Sequence, residues 1–155
     1  MTSLTRRRFL ATALAGPAIT TLPTFASPPV LHVRKDPGCG CCGAWIEIMQ
    51  AHGFDASVEN MGYDALYRFK LANGITEDLM SCHTADIGGY LIEGHVPPAD
   101  VKRLLAERPD AIGLTVPGMP YGSPGMGPES EREAYDVLLM RKDGQTEVFA
   151  HYAAA

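Results

Sequence analysis

Apolar and polar residues along this 155-residue chain follow two rhythms, one of strands and one of helices. Residues 30–34, Val-Leu-His-Val-Arg, form a short run of strand-formers, and Asp36-Pro37-Gly38 directly after them is turn chemistry that stops a strand. From Cys42 the period changes. Trp45, Ile48, Met49 and His52 recur at the spacing of one helix face, and Gly53 ends the run. Residues 56–61 return to alternation. A strand, a helix and a strand within about 30 residues make a βαβ unit, whose two strands run parallel.

A second helix is predicted over 63–73, with Leu66, Phe69 and the stem of Lys70 facing inward and Asn73-Gly74 as its stop. Residues 85–87 and 90–93, joined by Gly88-Gly89, read as a tight hairpin. Pro97-Pro98 opens a third helix with Val101, Leu104 and Leu105 inward, and Pro109 closes it. Residues 135–140 and 146–152 flank Asp143-Gly144, a terminal hairpin that extends the sheet. Before them, residues 116–128 hold too much Gly and Pro for regular structure, and loops of that length in a compact domain are commonly functional or disordered. The order β-α-β-α-β-β-α, with Cys-x-x-Cys opening the first helix, is that of a thioredoxin-like α/β fold: a central mixed sheet with flanking helices, here with a C-terminal hairpin extension.

With 46% hydrophobic and 20% charged residues, the chain suits one domain with a real core. Its first residues stand apart. Arg6-Arg7-Arg8-Phe9-Leu10 opens an otherwise uncharged stretch that ends near Ala26, so residues 1–26 read as an export signal of the twin-arginine type. Gly16-Pro17 and Pro23 interrupt the apolar run, which falls short of the roughly 20 residues a spanning helix needs. Residues 27–155 are therefore expected as a single metal-binding domain in the periplasm, with no membrane span after cleavage. Removing the three arginines takes the net charge from −5 to −8. Such an acidic chain lacks the basic stripe that nucleic acid demands and attracts cations.

The candidate chemistry lies in four cysteines, grouped as Cys39-Gly40-Cys41-Cys42 and Ser81-Cys82-His83. A thiolate at a helix N-terminus meets free backbone N–H groups and the positive end of the dipole, which favour its charged form. The Cys39/Cys42 spacing brings two sulfurs to one point, for a disulfide staple, for thiol-disulfide exchange with Cys39 as nucleophile and Cys42 as resolver, or for a metal ion. Cys41 changes this picture, because neighbouring cysteines diverge too far to clamp one small ion but can serve two ions or bridge several. A structural zinc site is disfavoured, since the crowded run fits poorly with paired C-x₂₋₄-C spacing.

Cys82-His83 falls where thioredoxin-like enzymes bring a cis-proline against their cysteines, and no proline occurs in Met80-Ser81-Cys82-His83-Thr84. A thiol and an imidazole there point soft ligands at the cluster, and thiolate and thioether ligands favour Cu(I). His95 is expected in an exposed turn ahead of the third helix. Met119 and Met126, in Pro-Gly-Met-Pro and Pro-Gly-Met-Gly settings, are weaker thioether candidates. His32, His52 and His151 are read as structural, Trp45 as core, and Glu47 and Glu59 as solvated. No Ser-His-Asp order, phosphate-binding glycine loop or HExxH motif is present.

Four strings in order, Cys39-Gly40-Cys41-Cys42 with Trp45, Ser81-Cys82-His83-Thr84-Ala85, residues 89–97 (Gly-Tyr-Leu-Ile-Glu-Gly-His-Val-Pro) and residues 116–126, resemble the CopG-like family of exported bacterial copper-resistance proteins. The resemblance spans nearly the whole chain after residue 26. It implies a thioredoxin-like fold and a copper site on Cys39, Cys41, Cys42 and Cys82, with His83, His95, Met119 and Met126 as further ligands. It also implies more than one Cu(I), bridging thiolates, redox cycling of the copper and exchange with other periplasmic copper-handling proteins. The expected function is copper binding in resistance and homeostasis, by sequestration, transfer or redox conversion.

Overall fold

Strand β1 (Leu31–Lys35) buries every second side chain, Leu31, Val33 and Lys35, and so turns one face to the core in the computed structural model, which describes residues 29–155. The expected export signal lies outside the described residues. After β1 come α1 (Gly40–Ala51), β2 (Ala56–Asn60), α2 (Tyr63–Ala72), β3 (His83–Ile87), β4 (Tyr90–Glu93), α3 (Pro98–Glu107), β5 (Gly113–Thr115), β6 (Tyr135–Met140) and β7 (Thr146–Tyr152). The sheet runs β2-β1-β3-β4-β5-β6-β7. Its β1/β2 and β4/β5 pairs are parallel and the others antiparallel, so the expected mixed α/β sheet with a terminal hairpin is present.

Trp45, Met49, Leu31, Ile92, Leu104 and Leu114 are fully buried where helices meet sheet. The inward face of α1 differs from the sequence reading. It consists of Cys42, Trp45, Ile46 and Met49, while Ile48 is half-buried and His52 exposed. The helix, capped by Cys39, begins earlier than the periodic run suggested, and the buried stripe runs through Cys42 in its first turn and stops at Met49. His52 instead ends the helix, its Nδ1 bonded to the Ile48 carbonyl at 2.8 Å. In α2 the inward residues are Leu66 and Lys70, and half-buried Phe69 lies beneath the Arg34 guanidinium, 4.5 Å from its ring centre. Strand β2 is an edge strand with four of its five residues exposed. Strand β5, three residues long, went unforeseen because so short a run carries no period.

Candidate metal centre

The turn after β1 forms as its residues dictate: the Gly38 N–H donates to Asp36 Oδ1 at 2.8 Å and the Cys39 N–H to the Asp36 carbonyl at 3.0 Å. That delivers Cys39 to the N-cap of α1, where its sulfur accepts from the Cys42 N–H at 3.3 Å. Cys39 and Cys42 are joined in a disulfide, whereas Cys41 and Cys82 are free thiols. Cys41 Sγ lies 3.5 Å from Cys39 Sγ and 3.8 Å from Cys82 Sγ. Cys41 and Cys42 do not part as their adjacency suggested: Cys42 is fully buried, yet its Sγ lies 3.9 Å from the Cys82 carbonyl, and both sulfurs stay in one cluster with Cys82.

Cys82 precedes β3 and stands between two donor sets. Donor atoms of Cys39, Cys41, Cys42 and Cys82 lie within 4.8 Å of one another, and so do those of Cys82, His83 and His95. His95 Nε2 is 3.1 Å and His83 Nδ1 3.4 Å from Cys82 Sγ. His95 corrects the expectation of an exposed turn, for it is fully buried. The loop over residues 116–128 folds across it, and the Pro124 carbonyl lies 2.8 Å from His95 Nδ1. A carbonyl can only accept, so Nδ1 carries the proton and the Nε2 lone pair faces Cys82, the tautomer a metal-ligating histidine requires.

Gly125 makes that covering possible. Its φ is +85°, and a Cβ there would come 2.8 Å from the Trp45 nitrogen and 3.0 Å from the Cys41 carbonyl, so the loop backbone rests directly on the first turn of α1. Trp45 closes the other side, donating its indole N–H to the Val96 carbonyl at 2.9 Å with its ring 4.4 Å from that of His83.

Electrostatics follow burial. Burial first, then repulsion and a hydrogen bond from Cys41, push the Cys82 thiol up to about 12, against a smaller downward pull from Ser81 and Lys70. His83 is driven well below its usual range by burial, then by the neighbouring charges of His95, Lys70 and Lys35. His95 is lowered by burial, partly offset by its bond to Pro124. Both imidazoles are therefore neutral at neutral pH, the form that coordinates. His83 turns Nδ1 toward Cys82, and its other nitrogen, Nε2, is buried without a hydrogen-bond partner. As bonded here, Cys39 and Cys42 are not thiolates, and the four-sulfur set becomes available on two-electron reduction of their disulfide.

Cys39 and Cys82 open onto a cleft of about 840 Å³ whose walls include Tyr63, Tyr67, Met80 and Met119. Met119 is exposed on this cleft, whereas Met126 is not among its lining residues and bonds through its backbone, donating to Ser123 O and accepting from Gly122 N. His32, His52 and His151 are exposed and bonded to Ser57, Ile48 and Asp136, away from the cluster. Sequence reasoning missed Lys70 and Glu93, which bracket Ser81. Lys70 gave one signal, a cation on the inward face of α2.

The family model described as "Protein of unknown function, DUF411" matches residues 79–126. A solved structure described as "Copper resistance protein copG- Form 1" is 39% identical, with TM-score 0.76, covering 83% of this chain and 100% of that one. A second, "Copper resistance protein copG- Form 2", is 40% identical, with TM-score 0.74, covering 81% and 99%. No curated protein sequence matches.

Proposed function

This chain belongs to the DUF411 family of copper resistance protein copG, and from that premise we propose that it binds Cu(I) as cargo in copper resistance. The observation that carries this reading is the convergence of three sulfurs and two neutral imidazoles on the Cys82 thiol. Thiolate and imidazole are soft or borderline donors that suit Cu(I), and hard cations would find no carboxylate among them. In the reduced protein Cys39, Cys41, Cys42 and Cys82 hold more than one copper through bridging thiolates, with His83 and His95 completing the set and Met119 and Met126 as outer thioethers. The protein acts in the periplasm after export on its N-terminal signal. There it sequesters copper, passes it on or changes its oxidation state. Among the described residues no helix is long and apolar enough to cross a membrane.

Anaerobic Cu(I) titration of the reduced protein is expected to saturate above one copper per chain, and tight binding should disappear in Cys39→Ser/Cys42→Ser. A reduced protein that takes up no Cu(I) refutes the reading. The Cys39–Cys42 disulfide at the start of α1 favours a second one, thiol-disulfide exchange with Cys39 as nucleophile. Catalysed reduction of a protein disulfide by the metal-free dithiol form is its test, and no rate above that of a small thiol dismisses it.

A further inference from the structure

Between α2 and β3, Ser81 is held at every polar atom it has. Its N–H donates to Glu93 Oε1 at 2.6 Å, its carbonyl accepts from Lys70 Nζ at 2.6 Å, and its hydroxyl donates to the Gly118 carbonyl. Lys70 Nζ also meets Glu93 Oε1 at 2.5 Å, and Thr84 donates to Glu93 Oε2 at 2.6 Å. Lys70 is 3% exposed and Glu93 fully buried, so the pair is inside the protein. The fit is tight: a Cβ on Gly94, at φ +72°, would lie 2.4 Å from the Ser81 side chain.

Stability does not account for such a pair. Desolvating two charges offsets most of their attraction, and well-packed apolar replacements are often neutral or better. What the pair does supply is geometry, because it holds the N–H and the carbonyl of Ser81, one on each of the two peptide units that flank it, and the second of these leads into Cys82. We propose that the buried Lys70/Glu93 pair is a positioning device for Cys82, clamping Ser81 so that the Cys82 thiol stands where the cysteine and histidine donors meet. This rests on the metal-binding reading of the site. The clamp occupies the point where the sequence lacks a proline, and through Gly118 it also fastens the loop that bears Met119.

A metal-free measurement tests the clamp separately from copper. In a Cys39→Ser/Cys42→Ser background, diamide takes two electrons and two protons from Cys41 and Cys82 to form their disulfide, at a rate set by how well the sulfurs are held together. Lys70→Met/Glu93→Leu should keep the fold and melting temperature yet slow this trapping roughly tenfold or more, since small misplacements of reacting atoms cost large factors. Glu93→Gln, which keeps the acceptor for Ser81, should trap near the parent rate. An unchanged rate in the folded apolar pair overturns the proposal. Should that pair not fold, Lys70→Gln, whose amide reaches less far toward the Ser81 carbonyl, decides by the same criterion. If the unaltered chain takes up no Cu(I), the proposed function fails while the trapping rates still decide the clamp.

Discussion

Cys82 is the residue on which both donor sets depend, and its protonation sets how the site responds to pH. A thiol pushed up to about 12 is protonated at neutral pH, so a metal must displace that proton to bind. Cu(I) affinity should therefore climb with pH, by up to about tenfold per unit from this proton alone, and Cys82→Ser should flatten the climb while removing tight binding. Competition titrations against a Cu(I) chelator at several pH values would measure it. The histidines act in the opposite protonation sense. Because burial holds His83 and His95 neutral below their usual value of 6.5, the unfolded chain binds protons first as pH falls. The stability of the metal-free protein is thus full above 6.5 and is lost on acidification, by at most about 1.4 kcal/mol per pH unit for each histidine. Denaturant unfolding should show this slope, and His83→Gln/His95→Gln should reduce it.

At the scale of elements, the site is a joint between the first turn of α1, the lead into β3 and the loop over residues 116–128. The loop's contribution is predicted by two glycines of similar backbone. Gly118, at φ +69°, has nothing within 4 Å of a would-be Cβ, so Gly118→Ala should cost only the conformational strain, about 1 kcal/mol. Gly125→Ala meets Trp45 and Cys41 backbone atoms as well, and should lift the loop, break the bond between His95 and Pro124, and weaken Cu(I) binding far more than Gly118→Ala does. Equal affinities in the two variants would argue against a role for the loop. The same elements show what was legible in the sequence. Strand and helix periods, turn residues and the Asp143-Gly144 hairpin mark local structure, and those elements stand where expected. The burial of His95 was not legible, because it depends on a loop about 30 residues further along the chain folding over it. The Lys70/Glu93 pairing escaped for the same reason: although the Lys70 stem was expected to face inward, its partner lies 23 residues away, and an acid such as Glu93 ordinarily belongs to the surface.

For the whole molecule, the state of Cys39 and Cys42 governs how many donors the site offers. In the oxidised chain two of four sulfurs are tied together, yet Cys41 and Cys82 remain thiols and His95 still presents its lone pair to Cys82. Oxidation therefore leaves a smaller site of two sulfurs and imidazole. An oxidising compartment would favour the disulfide, and thiolates bound to a soft metal are poorer nucleophiles toward oxidants, so on the proposed function copper loading and disulfide formation would compete for the same sulfurs. Two results are expected. The oxidised protein should bind fewer Cu(I) per chain than the reduced one, with its residual binding abolished by Cys82→Ser; and prior loading of the reduced protein should slow formation of the Cys39–Cys42 bond under a mild oxidant. Copper counting by mass spectrometry of the intact complex, paired with thiol labelling, reads both quantities. An oxidised protein with the capacity of the reduced one would show that Cys39 and Cys42 are spectators, leaving the Cys41, Cys82 and His95 side as the whole site.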